Sequence, residues 1–121
     1  MVGEREGRPG ERDLVLPPEV AEGLKEVGGM EGLRSKVPTD TDIRPLAEMH
    51  QALSDPLRLL ILYLLRVSDL CPCVLKEITE LSDSKLSYHL SVLERAGMVL
   101  WRQSKNWRVY SLTELGKVSL P

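Results

Sequence analysis

The only two cysteines of this 121-residue chain are Cys71 and Cys73, held apart by Pro72 in the stretch DLCPCVLKEI. Thiolates placed so close together bind soft metal ions or oxidise as a pair. On a continuous helix, residues two apart point about 200° from each other and cannot share a ligand. An extended chain points them the same way. Pro72 decides between these, because it drives the preceding Cys71 out of the helical region and is itself at home as a first helical residue. Cys71 is therefore expected to be extended at an N-cap, with Cys73 in the first turn. The sulfurs then converge where the positive end of the helix dipole favours thiolates. The alternative is that both cysteines are small buried hydrophobes.

What such a pair could hold stays open. Zinc takes four ligands, so Asp69, His50 or solvent would have to complete a site that starts from two sulfurs. Cd(II) is an equally thiophilic candidate. As(III) would need a third thiol from outside the chain, and redox sensing needs no cofactor at all. Haem ligation through Cys-Pro is a further, more distant reading. A nucleophilic cysteine with His50 or His89 as base is not accompanied by an oxyanion-hole loop, a phosphate-binding glycine motif or paired carboxylates, so no enzyme activity is expected.

The elements that position the pair can be read from periodicity. Residues 1–17 are charged, glycine-rich and aperiodic, and are expected to be a disordered tail. Residues 18–41 read as an N-terminal extension. In it Val20, Leu24 and Val27 make a short amphipathic helix stopped by Gly28-Gly29, and residues 30–41 form a linker. Residues 42–121 read as one domain. Asp42 caps a helix whose face carries Ile43, Leu46, Met49, His50 and Leu53, with Pro45 in its first turn. Asp55, followed by Pro56, caps LRLLILYLLR, which is apolar almost all round and must be central.

After the cysteines, Val74, Leu75, Ile78 and Leu81 space as a two-turn helix. Ser82 caps the next, where Leu86, Leu90 and Leu93 recur before Gly97 closes it in the left-handed region. Two short helices across a tight turn make a helix-turn-helix. Finally MVLWRQSKNWRVYSLT reads as a β-hairpin in which Asn106 supplies the positive φ of the turn and Trp101 and Trp107 form a cross-strand pair. The fold class expected is mainly α with a small β-hairpin, a winged helix-turn-helix.

Charge supports a polyanionic partner. Residues 1–83 carry 10 Lys and Arg against 16 Asp and Glu, a net −6, whereas residues 84–121 carry 6 against 2, a net +4. The basic third is the part expected to meet DNA. Taking Leu86 as inward, Ser84, Ser87, Tyr88 and Ser91 fall on the opposite side of the second helix with Lys85 at its flank, facing the major groove. Arg102, Lys105, Asn106 and Arg108 surround the hairpin tip, where they can clamp phosphates or straddle the minor groove. His89 falls near the leucine face, as a packed, hydrogen-bonded histidine. The start of the chain lacks the apolar run of a secretory signal and no stretch is long enough to span a bilayer, so a cytoplasmic protein without membrane association is expected.

Three stretches, ALSDPLRLLILYLL, LCPCVLKEITELSDSKLSYHLSVLERAGMV and the wing ending in RVYSLT, make the chain resemble the ArsR/SmtB family of winged-helix repressors over roughly residues 43–115. The resemblance implies a homodimer on an inverted-repeat operator in double-stranded DNA, released when a metal, metalloid or other signal reaches a sensor site. It also implies that Cys71 and Cys73 are that site. The chain departs from the pattern in three places. Lys76 or Glu77 stands where arsenic-type members carry a third Cys, the N-terminal arm has no Cys, and only ELGKVSLP follows Thr113, a stub of the usual dimerising helix. The competing reading is a winged helix that docks proteins without regulated DNA binding.

Overall fold

The computed structural model describes residues 14–121. Most of the expected disordered tail, residues 1–13, lies outside them. The chain divides into two units, Met1–Asp40 and Thr41–Pro121. In the first, helix α1 (Pro18–Glu26) packs against α2 (Gly29–Ser35). The expected helix at Val20–Val27 is there, but part of the expected linker is the second helix. Gly28, in the left-handed region at φ 96°, turns the chain so that Gly28-Gly29 starts this helix as well as ending the first.

The second unit runs α3 (Asp40–Ala52), α4 (Pro56–Val67), α5 (Pro72–Thr79), α6 (Asp83–Arg95), β1 (Val99–Ser104), β2 (Trp107–Leu112) and α7 (Glu114–Val118). Helix α3 begins two residues before the expected Asp42 cap, so Pro45 lies inside it rather than in its first turn. Its expected core face is also largely in water. Ala52 is buried and Met49 partly so, whereas Ile43 and Leu46 are 47% and 52% exposed. Helix α4 is central, as its all-round apolar sequence requires, with Ile61, Leu62 and Leu65 buried.

Around α4 the core gathers Leu75 from α5, Leu86, Leu90 and Leu93 from α6, and Met98, Val99, Tyr110 and Leu112 from the hairpin. Helix α5 contributes only Leu75 in full, since Val74 and Ile78 of its expected apolar set are exposed. Gly97, at φ 79°, ends α6 and lets the chain turn straight into β1. Gly116 lies where any Cβ would collide with the Met98 carbonyl, which lets α7 close on the hairpin base.

The hairpin pairs Trp101 with Tyr110 and Ser104 with Trp107. Trp101 and Trp107 therefore lie on opposite faces of the ribbon and do not form the expected pair, because their register positions differ by an odd number of residues. Trp101 is covered by Arg108 instead, the guanidinium 3.9 Å from the ring centroid. The positive φ of the turn is carried by Lys105, at 55°, and not by Asn106.

Two caps read from sequence are made by side chains. Asp55 Oδ1 accepts from the Leu57 and Arg58 N–H groups at 2.8 and 3.3 Å, and Ser82 Oγ accepts from the Lys85 N–H at 3.2 Å. Partial burial pushes the Asp55 carboxyl up, but those two hydrogen bonds, with the positive field of Arg58, outweigh it and hold the carboxyl below its usual range. A depressed carboxyl stabilises the fold above its unfolded pKa and loses that contribution as the pH falls through its folded value. Asp55→Ala is expected to lower unfolding stability by about 1 kcal/mol near neutral pH, with Asp55→Asn closer to the parent. Denaturant titrations from neutral to acid pH should show the Asp55→Ala deficit shrinking as the carboxyl protonates.

Candidate functional site: a thiol pair joined to a nucleic-acid interface

Cys71 is the N-cap of α5, in extended backbone at φ −87° and ψ 161°, and Pro72 is the first helical residue. Cys73 follows within the first turn. Their Cα atoms are 5.4 Å apart and the two sulfurs are joined as a disulfide. Cys71 is half-buried and Cys73 exposed, so the pair is open to solvent at the mouth of the helix.

What flanks the pair is more informative than the pair itself. Leu70 forms a two-hydrogen-bond bridge with the wing: its N–H donates to Tyr110 O at 3.1 Å and its carbonyl accepts from the Tyr110 N–H at 2.8 Å. Asp69 adds a side-chain tie, with Arg102 Nη1 donating to its Oδ2 at 3.1 Å and to Ser111 Oγ at 2.9 Å. On the other side, α5 packs on α6 through Leu75, and Lys76 Nζ lies 2.9 Å from Asp83 Oδ1 in the first turn of α6. One residue, Cys71, thus separates Leu70, hydrogen-bonded to the wing, from a helix packed against α6.

Among the described residues no group of three or more His, Cys, Asp and Glu side chains gathers as a metal site. Asp69 is engaged with Arg102, and His50 is exposed on α3. The donor set at the pair within one chain is therefore two sulfurs. That suits a thiophilic ion completed from outside, or oxidation, and leaves a four-coordinate zinc site short.

On α6, Ser84, Lys85, Ser87 and Tyr88 are all exposed on the side away from Leu86, Leu90 and Leu93, with Tyr88 at 59%. Ser91 is half-buried and turns its hydroxyl back to Tyr88 O at 3.0 Å. On the wing Arg102, Lys105, Asn106 and Arg108 are exposed, Arg102 tied to Asp69 and Arg108 stacked on Trp101. The tip is ordered by Gln103 Nε2, which donates to Lys105 O at 2.9 Å.

Sequence reasoning missed Arg58. It is 8% exposed and spans α3, α4 and α6: Nε donates to Ala52 O at 2.8 Å, Nη2 to Gln51 O at 3.3 Å and Nη1 to His89 Nδ1 at 3.0 Å. A guanidinium only donates, so this pairing makes Nδ1 of His89 the acceptor. The available signal was Arg58 near the start of the largely apolar LRLLILYLLR, well inside the helix from the terminal Arg66, together with a His on the leucine side of α6.

Residues 55–100 match the family described as bacterial regulatory protein, arsR family. The chain is 37% identical over 73 residues to the arsenical resistance operon repressor of Bacillus subtilis, covering 60% of this chain and 70% of that protein. It is 38% identical over 69 residues to the arsenical resistance operon repressor of Staphylococcus xylosus, covering 57% and 66%. Among solved structures, the reduced form of HlyU from Vibrio cholerae superposes with a TM-score of 0.59 at 30% identity, over 66% of this chain and 85% of that one. The helix-turn-helix, the wing and these likenesses together place the chain in the arsR family of bacterial regulatory proteins, as a DNA-binding transcription regulator with the winged helix-turn-helix fold.

Proposed function

We propose that the protein is an operator-binding repressor, working as a homodimer, whose grip on DNA is set by the chemical state of Cys71 and Cys73. The observation that carries the reading is the position of the sulfurs between two anchored parts. Cys71 follows the residue hydrogen-bonded to Tyr110 of the wing, and Cys73 belongs to the helix packed on α6. Changing the sulfur-to-sulfur relation moves one DNA-contacting part against the other. A small movement is sufficient, because a coupling of 1–3 kcal/mol already changes affinity about 5- to 150-fold.

The signal is a thiophilic ion such as As(III), bound by the two thiolates with a third thiol from a small molecule, or an oxidant that takes two electrons as the thiols release two protons. The arsenical resistance repressors among the relatives favour the first. Convergence of the sulfurs without further protein ligands, and a relative known in a form called reduced, favour the second. Ser84, Lys85, Ser87, Tyr88 and Ser91 read or brace the major groove, and Arg102, Lys105, Asn106 and Arg108 hold phosphates. Two recognition helices about 34 Å apart would meet an inverted repeat. The apolar Ile43 and Leu46, left in water on α3, support pairing with a second copy.

In gel retardation with promoter DNA of its own gene, the parent protein is expected to lose affinity on treatment with As(III) or a thiol oxidant. Cys71→Ser/Cys73→Ser should bind DNA as tightly as the untreated, reduced parent and lose the response; a double variant that responds as the parent does places the sensor elsewhere. Lys105→Ala and Arg108→Ala should each weaken binding across sequences and reduce the salt slope by about 1. The exposed Asp69–Arg102 pair should contribute less than about 1 kcal/mol to folding in a double-mutant cycle. Asp69→Ala is nevertheless expected to narrow the affinity change on thiol chemistry, measured in the same retardation assay.

A further inference from the structure

A cavity of about 350 Å³ opens between α3 and the second half of α6, remote in sequence from the thiol pair and lined by Arg58, Arg95, Tyr88, Glu48, Val92 and Ala96 among others. Its size is within the range of small-molecule sites. Its chemistry is uneven. Arg58 is more than nine-tenths buried, and every acceptor it reaches is neutral: two main-chain carbonyls and the Nδ1 lone pair of His89. Among the described residues no carboxylate pairs with it. Asp55, on the adjoining turn, spends its oxygen on the Leu57 and Arg58 N–H groups, and Glu48 lines the cavity without bonding to the guanidinium.

A guanidinium has five N–H donors, and three are engaged. A buried cation that no carboxylate hydrogen-bonds, with Asp55 acting on it only through space, is costly, and an anion brought into contact with its free donors removes much of that cost. Arg95, exposed on α6 at the same cavity, adds a second positive charge. The same lining includes Val92, Ala96 and Tyr88, which offer apolar surface beside the two cations.

We propose that this cavity is a binding site for a small organic carboxylate, with the anionic group held by Arg58 and Arg95 and a flat apolar body lying against Val92, Ala96 and Tyr88. Glu48 opposes the ligand's charge and limits its affinity. Tyr88 also belongs to the face turned toward the groove, so an occupant touches the recognition helix directly. The site is independent of the thiol switch and is tested without DNA.

The probe is benzoate, titrated into the reduced full-length protein and followed by amide chemical shifts. Saturable shifts at millimolar benzoate, centred on residues 48–52 and 92–96, are expected, with the neutral isostere benzamide giving none. Glu48→Gln should tighten benzoate binding several-fold and Arg95→Gln should weaken it several-fold. Both positions are exposed, and circular dichroism of each variant confirms that it is folded; opposite signs are not produced by a general loosening. No saturable shift, equal binding of benzamide, or affinities unchanged in both variants would overturn the assignment. Inorganic phosphate binding as well as benzoate would overturn the organic part of it, pointing to a phosphate of DNA as the natural occupant.

Discussion

A proline between two cysteines is the constraint on which the rest of the thiol-pair geometry depends. Pro72 has no N–H, and its ring excludes helical backbone at the residue before it. The chain must therefore enter α5 extended, and Cys71 does so. An extended Cys71 continues the direction of Leu70, and this is what allows Leu70 to exchange two hydrogen bonds with Tyr110. A helix starting one turn earlier would forfeit both, at about 1 kcal/mol each, and would carry Asp69 away from Arg102. Strand pairing and helix thus meet at one peptide, and the sulfurs straddle the junction.

The helix on the far side of that junction is poorly buffered. Eight residues are too few for a helix to persist in water by itself. Helix α5 is held by Leu75, fully buried among α4 and α6, and by the Lys76–Asp83 contact near the start of the recognition helix. A displacement of its first turn therefore has few internal hydrogen bonds to absorb it and passes to Leu75 and then to the packed leucines of α6. Close packing makes such a shift a change of arrangement and not a local deformation.

Local chemistry was the legible part of the sequence. Asp55 and Ser82 announced their caps because a side-chain oxygen one or two bonds from Cβ reaches free N–H groups at a helix start. Gly97 announced its φ because few other residues adopt it cheaply. The two cysteines were placed by Pro72 for the same reason. The errors were of longer range. The Asp42 cap predicts Pro45 in the first turn, but helix α3 extends three residues further toward the N-terminus, to Asp40. The two tryptophans were paired by type, although register decides the face and theirs is odd. Lys105 took the positive φ that Asn106 was better suited to, which no single-residue preference foretells. Arg58 escaped because its role exists only once α3, α4 and α6 meet around it. Of the candidate site, the thiol geometry and the polar face of α6 were readable, and the tie to the wing was not, since it rests on pairing across 40 residues between Leu70 and Tyr110.

That tie gives Arg102 a particular place in the proposed mechanism. Both of its hydrogen bonds, to Asp69 and to Ser111, leave from Nη1. Neither of these bonds uses Nη2 or Nε, and a guanidinium engaged through one nitrogen still has a second edge to offer a phosphate. Arg102 can then contact DNA without releasing Asp69. An exposed ion pair of this kind adds little to folding, but it fixes where a long side chain puts its charge. Since Asp69 lies two residues before Cys71, the proposed mechanism would carry movement of the sulfurs through one short loop to Arg102, in parallel with the path through Leu75 to α6. In that mechanism two routes from one pair of atoms would act on the same equilibrium, and a rigid duplex, which requires helix and wing to be in register together, would respond to the difference between them.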